Sequence, residues 1–143
     1  MDDSNSSMAR RVAQAASAFE KQLTGHVPKS VTVVLSDNTL VITLHGVLSP
    51  AERALAQSPV GAAHVQEFHR QLFTSSSDAL RKEIKRITGT EVREASAELE
   101  TTTGTVLKTF TAGTVVQVFL LAGGVPTDTW SGSTPEQPDG SDS

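Results

Sequence analysis

The sequence predicts an α+β fold, a single antiparallel sheet packed by helices in the order α-β-β-α-α-β-β. Three observations lead there. Apolar residues recur every three or four positions near the N-terminus and through the middle of the chain, but alternate by two around Asp37-Asn38 and after Gly89. The segments of alternating character come as two adjacent pairs, as antiparallel hairpins require. The 143 residues suit one core. That core is expected over residues 7–122, between a disordered N-terminus at 1–6 and a disordered, acidic Gly/Ser/Pro tail at 123–143.

Met8, Val12, Ala15, Ala16, Phe19 and Leu23 form one stripe of a first helix, with Glu20 and Lys21 assigned to its wet side. Gly25 stops this helix and Pro28 prevents its resumption. Two strands, Ser30 to Leu35 and Leu40 to His45, flank a turn at Asp37-Asn38. A two-residue loop pairs Leu35 with Leu40, Val33 with Ile42 and Val31 with Leu44, so six apolar side chains share one face. Ser49-Pro50-Ala51-Glu52 opens a short helix with a capping box and a proline at its first position. Ser58-Pro59 repeats the start signal for a long helix reaching Thr88. The helix is expected to continue through its polar run Thr74–Ser77, which also allows a kink or a fresh cap at Ser77. Beyond Gly89, Ala95, Ala97 and Leu99 alternate with Glu94, Glu98 and Glu100. Val115–Leu121 is almost wholly apolar, as an inner strand is. The intervening Thr101–Thr114 suits an extended hairpin arm.

Composition excludes several functions. Cysteine is absent, which removes disulfides, thiol nucleophiles and thiolate metal sites, and suits a reducing compartment. The longest apolar run is about half the roughly 20 residues that a spanning helix needs, and the acidic, polar N-terminus is unlike a signal peptide. The net charge of −4 comes from the ends, where six acids lie without a base; the body holds ten acids against twelve bases. That mild excess is a weak argument for nucleic acid, and none is expected as partner.

No catalytic, cofactor-binding or metal-binding residues are expected. His64 and His69 resemble a helical zinc motif, but five residues on a helix turn them about 140° apart. His69 therefore reads as helix surface or boundary. No Gly-x-Ser-x-Gly, dinucleotide or phosphate-binding loop is present, and tyrosine is absent. Two surfaces remain. Arg81, Lys82, Lys85 and Arg86 suit either a solvated helix end, where cations oppose the dipole, or a contact for an anion or partner. Thr32, Val34, Val41 and Thr43 form the half-apolar face of the first hairpin. The N-terminal helix covers that face while the long helix covers the other, or it stays open and supports association as a dimer.

Gly25-His26-Val27-Pro28-Lys29-Ser30-Val31, and His45-Gly46-Val47-Leu48-Ser49-Pro50-Ala51-Glu52 after the hairpin, resemble the MpsC domain family. So do Ser58-Pro59-Val60-Gly61 before the long helix and Ile87-Thr88-Gly89 before the next strand. The resemblance covers about Ala9 to Leu121. Thr101–Thr114 looks longer than the family's link, and the tail lies outside the shared pattern. The resemblance implies a cytoplasmic, non-enzymatic accessory or regulatory protein. It would bind a membrane transport complex that moves Na⁺, generates membrane potential and supports inorganic-carbon (bicarbonate) supply. It carries over no catalytic or ion-binding residue. The competing expectation is a small-molecule or anion-sensing module built on the basic helix end.

Overall fold

The computed structural model describes residues 7–102, 110–125 and 130. Seven elements follow in order: α1 (Met8–Thr24), β1 (Ser30–Ser36), β2 (Thr39–His45), α2 (Pro50–Leu55), α3 (Pro59–Thr88), β3 (Val92–Thr102) and β4 (Phe110–Leu121). The four strands form one antiparallel sheet, ordered β1-β2-β4-β3. The fold class and element order are those the sequence predicts.

Local chemistry sets each boundary. Ser7 caps α1 by accepting from the Arg10 amide at 3.1 Å, and Gly25 ends the helix in the left-handed conformation. Asp37, at φ 55°, makes the β1–β2 turn, and the hairpin takes the predicted register, Leu35 opposite Leu40 and Val31 opposite Leu44. Ser58 and Pro59 start α3, and it runs unbroken for 30 residues. Its serine run does not break it because Ser75, Ser76 and Ser77 each donate to a carbonyl three or four residues back.

Leu40, Ile42, Leu44, Val115, Phe119 and Leu121 point from the two central strands into the core. There they meet Val12 and Ala16 of α1 and Val65, Leu80 and Ile84 of α3. The Phe73 and Phe119 rings pack at 6.0 Å. Both helices lie on this one side of the sheet, which corrects the expectation that α1 covers the opposite face. The reason is the stripe itself: α1 leans on β1, β2 and α3 together, filling the half of the layer that α3, lying over β3, leaves open.

A second difference concerns the C-terminal region. Val125 and Trp130, beyond the expected domain end, are each 8 % exposed and belong to the core cluster. Composition alone conceals this, because two apolar side chains among Gly, Pro and Thr leave the local average polar. Residues 126–129 and 131–143 of the expected tail, the N-terminal six residues and the 103–109 connection lie outside the described residues.

Candidate functional site, a buried Glu-His-Glu cluster and an open sheet face

Two helices carry ionisable groups into the core, and α2 sets a third, half-buried one beside them. Val12, Ala16 and Glu20 follow at four-residue steps on α1, so the stripe that packs inward ends in a carboxyl, 6 % exposed. On α3, His69 follows Val65 by the same step and is 7 % exposed. Glu52 is fixed by the capping box of α2. Its Oε1 accepts from the Ser49 amide at 3.0 Å, while Oε2 accepts from His69 Nε2 at 2.9 Å. His69 Nδ1 faces Glu20 Oε2 at 3.9 Å. One imidazole thus stands between two carboxylates. The sequence reading of His69 as surface or boundary is corrected, and Glu20 belongs to the buried face.

The two carboxyls are tuned in opposite directions. Burial raises the Glu20 pKa above its ordinary 4.5, and the Glu52 charge adds to the rise, outweighing the opposing pull of His69 and His26. Burial also pushes Glu52 up, but hydrogen bonds from Ser49 and His69 outweigh it and bring the net value below 4.5.

Gln117 of β4 shares its strand face with Val115 and Phe119 and is 6 % exposed. Its Oε1, like Glu20 Oε2, is buried without a hydrogen-bond partner. Both residues line one cavity of about 20 Å³ with His69, Phe73, Ser76 and Ser77. Ser76 donates to the Leu72 carbonyl at 2.7 Å, and Ser77 donates to that of Thr74. Those hydroxyls are engaged by the helix, and neither donates to His69. Among the described residues, no group of three His, Cys, Asp or Glu side chains is arranged to hold a metal ion. His64 is exposed, whereas His69 is buried.

The residues singled out in sequence fall on two other surfaces. Arg81 donates to the carbonyls of Val92 and Arg93, Lys85 pairs with Glu91, and Arg86 pairs with Glu83. Lys82 is exposed. Three of the four cations thus have partners within the fold, and all four fall within about 140° of the α3 circumference. By contrast, Thr32, Val34, Val41 and Thr43 share the face of the sheet on which, among the described residues, no helix packs. The cross-strand register aligns Val34, Val41 and Val118 in one row, and Thr32, Thr43 and Val116 in the next, with Leu120 beside Thr39. Val34 is 53 % exposed. The apolar run of β4 therefore supplies both the core and the centre of the opposite, half-buried face. Sequence reasoning took that run as a sign of an inner strand and so missed Val116, Val118 and Leu120.

Comparison with known proteins gives one family and one relative. The family described as Na⁺-translocating membrane potential-generating system (MpsC) matches residues 4–113. The uncharacterized protein YbcI of Bacillus subtilis (strain 168) is 26 % identical over 104 residues, which is 73 % of this chain and 84 % of that protein. No solved structure matches.

Proposed function

The chain belongs to the MpsC family, and from that membership we propose that it is a non-catalytic, cytoplasmic accessory protein of a Na⁺-translocating, membrane-potential-generating system. It acts by binding a protein of that system, in support of inorganic-carbon (bicarbonate) supply. The observation that carries this reading is the helix-free sheet face, where Val34, Val41, Val116, Val118 and Leu120 stand together among threonines. A contiguous apolar surface of this kind is characteristic of association sites. Among the described residues no helix is long and apolar enough to cross a membrane, so translocation falls to a partner. The anion-sensing alternative has less support, because Arg81, Lys85 and Arg86 already have partners within the fold. Deleting the gene is expected to lower Na⁺-dependent membrane potential and slow growth at ambient CO₂, with the intact chain restoring both. Unchanged potential and growth in the deletion strain would contradict the proposal.

The edges of the sheet support a homodimer. β3, one edge, carries Arg93, Glu94 and Glu98 and has two register irregularities, features that discourage strand addition. β1, the other edge, reads Ser-Val-Thr-Val-Val-Leu-Ser without charge, proline or irregularity. Antiparallel pairing of two β1 strands about Val33 would set Val31 against Leu35 and Thr32 against Val34. Every side chain then stays on its own face, and the two helix-free faces join. Light scattering is expected to return twice the 15.1 kDa chain mass. The Thr32→Lys, Val34→Lys double variant, which sets like charges opposite each other, should halve it without changing the circular dichroism. A wild-type protein that stays monomeric at hundreds of micromolar would overturn the dimer.

A further inference from the structure

Two buried acceptors at one cavity define a site that the proposed docking role does not use. Glu20 Oε2 and Gln117 Oε1 are buried without donors, and both residues line the space between α1, α3 and β4. Leaving a buried acceptor unpaired is costly, and here two such oxygens are accompanied by Ser76 and Ser77. Those hydroxyls direct their hydrogens to the carbonyls of Leu72 and Thr74, so they turn lone pairs, not hydrogens, toward other partners. The remaining wall includes Ala16, Leu72, Phe73 and Leu80, which offer no polar group. At about 20 Å³ the cavity holds one water-sized species.

The oxygens that line it suit a cation. From α1 comes the Glu20 carboxyl, from α2 Glu52, from α3 His69, and from the α1–β1 loop His26; β4 contributes the neutral Gln117. Oxygen donors suit hard cations. A single carboxylate on the cavity wall suits one positive charge better than two. We infer that this cavity binds one small monovalent metal cation, held between the Glu20 carboxylate and the Gln117 amide oxygen. The site lies on the opposite side of the sheet from the docking face and needs no partner. Failure of either idea therefore leaves the other standing.

The test uses the full chain in choline chloride, into which NaCl or KCl is exchanged at constant ionic strength. A saturable rise in melting temperature is expected, about 4 °C once the cation is tenfold above its Kd, with the Na⁺ and K⁺ arms ranking the two ions. Gln117→Leu should abolish the saturable rise while keeping the far-ultraviolet circular dichroism of the fold. Ser77→Ala, a milder change at the cavity rim, should weaken it severalfold. The inference is overturned if neither salt exceeds choline, which would mean that the cavity holds only water. It is equally overturned if Gln117→Leu retains the full rise.

Discussion

Replacing Gly61 by alanine is expected to destabilise the fold by about 3 kcal/mol, a typical figure for forcing atoms into a packed site. A Cβ there would sit 1.9 Å from the Leu55 carbonyl oxygen and 3.0 Å from Ser58 Oγ. The first obstacle is backbone, so no rotamer change relieves it; the corner between α2 and α3 must open. That corner also carries the Ser58 cap, whose Oγ accepts from the Gly61 amide at 3.0 Å. Opening it disturbs α2, and with it the placement of Glu52 against His69. Gly89→Ala is the control. Gly89 has φ 78° and nothing within 4 Å of a built Cβ, so only conformational strain of about 1 kcal/mol is expected. Urea denaturation of the three proteins separates the two cases, and equal losses would show that the corner is not tight.

Removing His69 has the second large consequence. His69→Ala deletes the Nε2 donor to Glu52 and leaves the two carboxyls facing a cavity, a change of about 3 kcal/mol, the upper end of the cost of taking its hydrogen bond from a shielded acceptor. The pH dependence identifies the cause. Glu20, with its folded pKa raised, contributes stability that is fully present below pH 4.5 and lost as pH rises through the folded value. Glu52, with its folded pKa lowered, contributes stability present above pH 4.5 and lost as pH falls through the folded value. Without His69 the Glu20 loss should deepen and the Glu52 gain should shrink. The variant is therefore more damaged above pH 4.5, where the two carboxyls would ionise, than near pH 4. Glu20→Gln in choline buffer should remove the loss at high pH and gain stability over wild type there. A His69→Ala penalty independent of pH would reduce the histidine to a packing residue.

The elements were legible because local chemistry and periodicity agree. The Ser49–Glu52 box, the Ser58-Pro59 start and the Asp37-Asn38 turn each specify a geometry by themselves, and the hairpin register follows from alternation. The site was not legible for the opposite reason, since Glu20, Glu52 and His69 lie on three helices that only tertiary packing brings together. A trace was present all the same. Glu20 and Gln117 stand in phase with buried apolar residues, Val12 and Ala16 in one case and Val115 and Phe119 in the other. A polar residue at a core position of a strong pattern marks a group that the fold keeps at a cost. The placement of α1 could not be read, because a stripe fixes which side of a helix is buried but not which side of a sheet it meets. Trp130 escaped because its burial depends on where the chain returns, which composition does not encode.

On the proposed reading, the chain reaches its partner through the sheet face on which, among the described residues, no helix packs. The most direct measurement is membrane potential in a deletion strain expressing a Val41→Glu, Val118→Glu variant that matches wild type in level and circular dichroism. The two positions face each other across β2 and β4 on the open side, away from the core. The variant should leave the potential at the deletion level, whereas an exposed helix-side change such as His64→Glu should restore it. Full restoration by the sheet-face variant would contradict the account.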